Sequence, residues 1–316
     1  DGIWFVSLGG ITSASELATQ FPLAVAKAIG LQFSGQRSLL TQLFAYLQDK
    51  ALLLLLDNAE HLLPELTDLL VELLQTSPRT TLLVTSRHLL NLQAEFVWPV
   101  TGLAVPVSSE LTKLTPAAVE RYSGIALFVE RAKRAQRNFQ MTAENQAEII
   151  AICRFVEGLP LAIELAAALT KQYGCAELYK ALQRDYRILS TSFADLSPRH
   201  RSIKAMLDYS WQFLTPEEAH TLAACSIFAG GFTREAALAV TGATPLILTK
   251  FVDQSLLQMR GGRFAMHKLM RQYAAERLAQ IPKQQAAAFM RHARYYIDLL
   301  HGLEAQFLID VNAQAV

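Results

Sequence analysis

The stretch "ALLLLLDNAEHLL", Ala51–Leu63, places five consecutive leucines directly before the acid Asp57. An unbroken apolar run of this kind is typical of a strand in a parallel sheet that is buried on both faces. Asp57 then lies at the carboxyl end of the strand, where ligands of such sheets bind. A carboxylate there can hold Mg²⁺, and Glu60 is close enough along the chain to act as a base toward water. The structural alternative is that Asp57 or Asn58 caps the helix that follows, and the pattern leaves both interpretations open.

The first hundred residues or so alternate strand and helix signals around this stretch. Strands are predicted at "IWFVSL", "ALLLLLD", "RTTLLVTSR" and "EFVWPV", with helical periodicity between them. The prediction is an α/β domain at 1–107 whose parallel sheet is covered by helices on both faces. Arg87 follows the strand "TLLVTSR" at the same edge as Asp57. A guanidinium there can bind a terminal phosphate, and the alternative is a surface arginine without a ligand.

The rest of the chain is predicted to be helical. Strand signals stop after a Pro- and Ser-containing linker, and a helical domain is predicted at 108–185. Residues 186–282 combine helices with "LQMRGGRFAMH", where Gly261–Gly262 signals a hairpin, and the combination predicts a winged helix-turn-helix. An amphipathic helix pair from residue 283 onward is predicted as the start of a helical, repeat-like region.

Two further positions in the helical part are candidate ligand contacts. In "EGLPLAIEL", Gly158 and Pro160 restrain a turn between helices, and a rigid apolar turn could press on a flat base. His267 follows the second hairpin strand, where an imidazole could donate to a phosphate. The structural alternatives are a plain helix–helix junction and a packed histidine without a ligand.

Composition excludes several classes of protein. The net charge of +1 gives no general attraction to nucleic acid or acidic lipid. The three cysteines are widely spaced, so neither a disulfide framework nor a zinc site is indicated, and we expect a reducing, cytoplasmic location. No apolar run reaches the roughly 18 residues of a membrane span, so no membrane partner is expected.

Five segments, taken in chain order, resemble motifs of the STAND class of signalling ATPases, which includes NB-ARC and AP-ATPase-like proteins. "LLLLLDNAEHLL" resembles the Walker B strand, "LLVTSR" the sensor 1 strand, and "GLPLAIELAAA" the proline motif of the helical domain. "HRSIKAMLDYSWQFLTPEEAHTLAACSIFAGGFTREAALAV" is similar to the opening of the winged-helix domain, and "MHKLMRQYAAERL" to its closing histidine motif. The resemblance covers nearly the whole chain and is greatest to the branch found in bacterial multidomain transcriptional regulators.

This resemblance implies a nucleotide-dependent molecular switch that is closed with ADP and open with ATP and Mg²⁺. Asp57 would then serve Mg²⁺, and Arg87 would sense the γ-phosphate. Pro160 would touch the adenine base, and His267 would reach the β-phosphate of ADP. The expected partners are an upstream effector domain, a downstream sensor domain and, in the ATP state, further copies of the same protein.

Three features depart from the pattern of this family. Asn58 leaves a single acid after the Walker B-like strand, which implies that hydrolysis is slow or relies on Glu60. Lys268 stands where many relatives carry an acid. No G-x-x-x-x-G-K-[ST] occurs in the 316 residues. By the resemblance, the expected fold class is an α/β P-loop NTPase domain whose N-terminal strand and P-loop are missing from these residues. We therefore expect the chain to belong to a longer protein with the P-loop upstream, and to be inactive as an ATPase alone.

Two rival interpretations remain. A degenerate scaffold, which keeps the fold without nucleotide chemistry, is favoured by the absent P-loop and by Asn58. A DNA-binding winged helix is the other, but the recognition-helix position "TPLILTKFVDQSLL" offers one cation, Lys250. The basic candidates elsewhere are "RGGR" in the hairpin and Arg199, His200, Arg201 and Lys204. Direct nucleic-acid binding by this chain is therefore not expected.

Overall fold

The computed structural model describes residues 2–11, 13–106, 115–191 and 200–314, with only the helical backbone described for 305–314. The described chain divides into two compact units. One comprises the residues up to Trp98 together with Asp253–Ser255, and the other runs from Pro99 to Val252 and continues from Leu256. The predicted domain boundary at 107/108 lies outside the described residues, and the predicted domain limits remain predictions.

The first unit is built on a parallel sheet of three strands in the order β1-β2-β3. Its pairing is in register, with Phe5 opposite Leu55 and Leu55 opposite Leu83. This confirms the α/β character and three of the predicted strands. The elements along the chain are β1 (Gly2–Ser7), α1 (Leu17–Ile29), α2 (Leu39–Leu47), β2 (Leu52–Asp57), α3 (Glu65–Thr76) and β3 (Thr81–Val84).

The predicted fourth strand, "EFVWPV" at 95–100, is wrong for the structure described here. Its residues are irregular, and the side chains of Phe96, Trp98 and Val100 are exposed. A strand requires a hydrogen-bonded neighbour, and 96–100 make no ladder with another strand among the described residues. The apolar pattern alone therefore did not suffice to make a strand.

Helices cover one face of the sheet, which corrects the prediction that both faces are covered. Leu54 and Leu56 point into a core with α1, α2 and α3 and are fully buried. On the opposite face Ile3, Phe5 and Leu83 are 72%, 61% and 53% exposed. The strand order explains the asymmetry, because right-handed crossovers that advance in one direction across a sheet place their helices on the same face.

Among its described residues, the second unit consists of helices and one hairpin. A single apolar cluster runs through it from Val119 to Tyr273. Its elements are α4 (Pro116–Val119), α5 (Ser123–Ala135), α6 (Gln146–Phe155), α7 (Pro160–Ala168), α8 (Cys175–Arg184), α9 (Ile203–Trp211), α10 (Pro216–Cys225), α11 (Arg234–Thr241), α12 (Pro245–Asp253), β4 (Gln258–Arg260), β5 (Arg263–Ala265), α13 (Lys268–Ala279) and α14 (Pro282–Gln314).

The predicted hairpin is confirmed, because β4 and β5 pair antiparallel across Gly261 and Gly262. Both glycines have positive φ, 54° and 76°, as a type I′ turn requires. Phe264 in β5 exchanges two backbone hydrogen bonds with Phe232, which fastens the hairpin to the segment before α11. The predicted helix pair after residue 283 is instead one helix, α14, which runs from Pro282 to Gln314.

Within the described residues no single helix is long and apolar enough to cross a membrane. Helices α11 and α12 reach that length and composition only when they are joined across a bend of 108°.

Candidate functional site

At the carboxyl edge of the sheet, Asp57 accepts a hydrogen bond that the sequence did not predict. The hydroxyl of Thr85, just after β3, donates to Asp57 Oδ1 at 2.7 Å and accepts from the backbone N–H of Asn58 at 3.0 Å. The short turn Glu60–Leu62 that follows has Ala59 at its N-cap and no side-chain cap. Neither Asp57 nor Asn58 therefore caps this turn, and the carboxylate is oriented by the neighbouring strand.

Asn58 has the left-handed backbone conformation, with φ 67°, and its amide points to a histidine. Asn58 Nδ2 donates to His61 Nδ1 at 3.1 Å, and His61 Nε2 donates to the carbonyl of Ile11 at 2.9 Å. Since a carbonyl only accepts, the proton lies on Nε2 and Nδ1 is the acceptor. Together with Thr85, this chain of contacts joins the carboxyl ends of all three strands. Thr85 and His61 lie in the segments that drew attention in the sequence, but nothing in their spacing showed the contacts.

Glu60 and Arg87, which were predicted separately, lie side by side. Arg87 Nε is 3.7 Å from Glu60 Oε1, and the two side chains are 34% and 5% exposed. A buried carboxylate is costly unless it is paired, so the guanidinium compensates for the burial of Glu60. Asp57, Glu60 and Arg87 thus share the edge of the sheet at which ligands of parallel sheets bind.

The turn between α6 and α7 has the restrained geometry that its sequence predicted. Glu157 and Gly158 have positive φ, 49° and 74°, and Pro160 is exposed in the first turn of α7. The N–H of Leu103 donates to the carbonyl of Gly158 at 2.8 Å. A Cβ added at Gly158 would lie 2.2 Å from the carbonyl oxygen of Leu103, and one added at Gly102 would lie 2.2 Å from that of Glu157. Only glycine fits at either position.

His267 contacts this same turn from the start of α13. Its Nε2 donates to the carbonyl of Val156 at 3.3 Å, and its Nδ1 accepts from the N–H of Leu269 at 3.1 Å. The acceptance at Nδ1 requires the neutral ring with its proton on Nε2. Burial lowers the pKa of His267 below its ordinary value, with the nearby Glu157 carboxylate acting in the opposite direction. The structure therefore brings His267 to the turn that carries Pro160.

Asp57 is the residue that fits a metal at the sheet edge. Mg²⁺ at phosphate sites takes one or two protein carboxylates and completes its shell with phosphate oxygens and water. No group of three or more His, Cys, Asp or Glu side chains that could hold a metal by themselves is found among the described residues.

The basic residues that a DNA-binding surface would need are engaged within the molecule. Lys250 on α12 pairs with Glu218 at 2.5 Å, and Lys204 pairs with Asp208 at 2.7 Å. In the hairpin, Arg260 lies 3.8 Å from Glu157, and Arg263 donates to the carbonyl of Gly231 at 2.9 Å. Arg199 lies outside the described residues. Lys250, the one basic residue of α12, is therefore paired with an acid of α10.

Proteins that bear the name of transcriptional regulators are similar to this chain in sequence. The chain is 32% identical over 314 residues to proteins of Mycobacterium bovis and Mycobacterium tuberculosis that bear the name "Putative HTH-type transcriptional regulator". The match covers 96% of this chain and 33% of each relative, so the chain spans about a third of their length. An uncharacterized protein of M. tuberculosis is 29% identical over 308 residues, which cover 93% of this chain and 73% of that protein. No family model matches.

Two solved structures are similar over most of the chain at low scores. One is the STAND protein with a tetratricopeptide repeat sensor from Pyrococcus horikoshii, with 16% identity and a TM-score of 0.29, covering 90% of this chain and 36% of that one. The other is a Walker-type ATPase of Pyrococcus abyssi, with 13% identity and a TM-score of 0.49, covering 86% and 83%. At these scores the two likenesses carry no conclusion about the fold.

Proposed function

We propose that this chain is the central part of a nucleotide-dependent switch in a larger regulatory protein, closed with ADP and open with ATP and Mg²⁺. The observation that carries the proposal is the joint position of Asp57, Glu60 and Arg87 at the carboxyl edge of a parallel sheet. At this edge a carboxylate can hold the metal, and a guanidinium can bind a phosphate, of a nucleoside triphosphate.

The open face of the sheet supports a missing strand–helix unit in this proposal. Consider a strand that precedes β1 in the sequence. If it lay beside β1 at the edge of the sheet, its connection to β1 would run in the same direction as the connection from β1 to β2. Its helix would then lie on the face that is already covered. If the added strand lay beside β3 instead, its connection to β1 would run across the sheet in the opposite direction. Its right-handed crossover would then place a helix over Ile3, Phe5 and Leu83.

Such a helix would begin at the edge that holds Asp57 and Arg87, because a helix that follows a strand starts at the carboxyl end of that strand. The N-terminus of a helix presents backbone N–H donors and a positive dipole, which is the ready site for a phosphate. We therefore propose that the full-length protein supplies a phosphate-binding loop and its helix ahead of Gly2. The unit would complete the sheet and the nucleotide site together.

The second unit supplies the closing contacts in this proposal. Pro160 is exposed on a turn that two glycines restrain, so its ring can meet a flat adenine without rearrangement. His267 is held at the same turn with a neutral ring whose Nε2 proton points to the carbonyl of Val156. A β-phosphate would be a stronger acceptor for that proton, so ADP would compete with the carbonyl for the histidine.

The names of the relatives support the regulatory part of the proposal. The output of the switch would be transcriptional, through effector and sensor regions outside this chain, and ATP-dependent opening would expose surfaces for self-association. ATP hydrolysis would be slow, because Asn58 follows Asp57 and its amide is bound to His61.

The test is the nucleotide content of the full-length protein purified without added nucleotide. After denaturation, chromatography is expected to show close to one ADP per chain. Arg87→Ala is expected to retain ADP and to lose affinity for ATP about tenfold or more, since a charge-assisted contact to the terminal phosphate is removed. Arg79→Ala is the matched control, because Arg79 is exposed at the opposite end of β3. Full-length protein that neither carries nor binds adenine nucleotide would instead support the scaffold interpretation.

A further inference from the structure

We propose that His61 is a positioning residue for Asp57, the carboxylate that holds Mg²⁺ in the proposed function, on which this inference rests. His61 completes a ring of hydrogen bonds that begins and ends at the backbone of Asp57 and Asn58. Its imidazole thereby fixes the part of the chain from which the Asp57 side chain extends.

The ring of hydrogen bonds passes through the segments that follow the first two strands. The carbonyl of Asp57 accepts from the N–H of Leu8 at 2.9 Å, and the carbonyl of Leu8 accepts from the N–H of Ile11 at 3.0 Å. The carbonyl of Ile11 accepts from His61 Nε2 at 2.9 Å, and His61 Nδ1 accepts from the side-chain amide of Asn58 at 3.1 Å. Since Asn58 directly follows Asp57, the ring returns to its starting point.

The two sides of this ring differ in how they are held. Leu8 and Ile11 are buried, so packing fixes the segment after β1. Asn58 has a φ of 67°, a left-handed conformation that persists in a residue with a side chain only where its surroundings support it. The contact with His61 supplies such support, because it ties the turn after β2 to the buried Ile11.

An imidazole suits this position because, when neutral, it offers one acceptor and one donor on different sides of a rigid group. The acceptor takes the amide proton of Asn58, and the donor reaches the carbonyl of Ile11. Glutamine carries the same pair of groups on a side chain of similar length, whereas leucine fills the space and carries neither. The two substitutions therefore separate the hydrogen bonds of His61 from its volume.

The position of Asp57 matters because Mg²⁺ demands nearly octahedral geometry at short bond lengths. Groups that orient a metal ligand without touching the metal contribute about tenfold or more to metal affinity. Thr85 holds the Asp57 carboxylate itself, and His61 holds the backbone next to it. Loss of His61 should thus weaken binding of Mg²⁺ and leave binding of nucleotide without Mg²⁺ unchanged.

The experiment compares His61→Leu and His61→Gln with wild type in the full-length protein. Calorimetry gives the dissociation constant of a non-hydrolysable ATP analogue over a range of Mg²⁺ concentrations, and that of ADP in EDTA. His61→Leu is expected to need about tenfold more Mg²⁺ for the same effect on analogue binding, at unchanged ADP affinity. His61→Gln is expected to stay within about threefold of wild type, because it can make both hydrogen bonds.

A second readout needs neither metal nor nucleotide. In nucleotide-free protein, hydrogen exchange at the amides of Leu8 and Ile11 should be faster in His61→Leu and should recover in His61→Gln. His301→Leu is the matched control, because it makes the same change at a side chain that is 74% exposed and should alter none of these quantities. If His61→Leu does not fold, His61→Asn replaces it, since asparagine is polar but too short to span both partners.

Three results would overturn the positioning role. Equal losses of analogue and ADP affinity in His61→Leu would mean that the histidine only supports the fold. A defect in His61→Gln as large as that in His61→Leu would mean that the two hydrogen bonds are not the cause. The third is an unchanged Mg²⁺ dependence in His61→Leu. All three leave nucleotide binding by wild type intact, whereas wild-type protein that binds no adenine nucleotide refutes the proposed function and the positioning role together.

Discussion

Glu157 Oε1 accepts a hydrogen bond from the backbone N–H of Lys268 at 3.0 Å, so the turn before α7 caps the first turn of α13. The carboxylate lies where a helix N-terminus favours negative charge. The first turn of α13 has no acid of its own, so the acid at this helix start comes from Glu157.

Removing this contact is expected to destabilise the second unit moderately. Glu157→Ala deletes an N-terminal cap of α13 and the 3.8 Å pairing with Arg260, and we expect a loss of about 1–2 kcal/mol in the free energy of unfolding. Urea denaturation measures the loss, and hydrogen exchange should localise it to the amides at the start of α13. Glu177→Ala is the control, because Glu177 is exposed in the first turn of α8 and should cost at most about 0.5 kcal/mol. Equal losses in the two variants would show that the cap contributes nothing specific.

Gly158→Ala is expected to be among the most damaging small substitutions in the chain. It combines a φ of 74° with a Cβ that would lie 2.2 Å from the carbonyl oxygen of Leu103. We expect a loss of roughly 3 kcal/mol or more, measured as the shift of the denaturation midpoint at constant m-value.

The matched control for this glycine is Gly302→Ala. Gly302 lies within α14, and a Cβ added there meets no atom within 4 Å. This variant should be neutral or slightly stabilising, because alanine is the better helix former and reduces the entropy of the unfolded chain. A tolerated Gly158→Ala would mean that the turn does not pack on residues 102–103 as described.

Lowering the pH is expected to weaken the contacts of His267 with Val156 and Leu269. Burial lowers the pKa of His267 in the folded protein below its ordinary value of 6.5, so protons bind the unfolded state more readily. The contribution of the neutral ring to stability is therefore present above pH 6.5 and is lost as the pH falls below it. Glu157 opposes the shift, and Lys268 and Arg260 reinforce it. Protonation would also remove Nδ1 as the acceptor for Leu269.

The measurement is the free energy of unfolding between pH 7.5 and pH 5 for wild type and His267→Gln. The variant should show a flatter profile in that range, because its side chain does not titrate. His301→Gln removes an exposed histidine and should leave the wild-type slope intact. Below pH 6.5, the free energy of unfolding should decrease more for wild type than for His267→Gln. Equal decreases in the two proteins would contradict the prediction.

Thr85→Val is expected to release Asp57 while keeping the shape of the side chain. It removes the donor to Asp57 Oδ1 and the acceptor for the N–H of Asn58, and we expect a loss of about 1–3 kcal/mol in stability. In the full-length protein it should also weaken the effect of Mg²⁺ on ATP binding several-fold, because the carboxylate loses its orientation. Thr81→Val at the amino end of β3 is the control and should change neither quantity. Unchanged Mg²⁺ dependence in Thr85→Val would argue against Asp57 as the metal ligand.

Local patterns predicted much of the architecture because they depend on short-range physics. The leucine run predicted β2, periodic apolar residues predicted helices in both units, and Gly261–Gly262 predicted the hairpin. Helix α8 lies within the region predicted as helical, although only two of its residues, Leu178 and Leu182, are buried. The strand at 95–100 failed because pairing depends on a neighbour that lies elsewhere in the chain.

By itself, the sequence of this protein determined which residues sit at the ends of strands and helices, and hence that Asp57, Glu60 and Arg87 would reach one edge of a sheet. Only the tertiary structure decided how they meet. It joined Asp57 to Thr85, Asn58 to His61 and Glu60 to Arg87, and it brought His267 to Val156. The reason is that periodicity reports the direction of a side chain relative to its own element, whereas the partner across a sheet edge or a helix junction is set by the packing of distant segments.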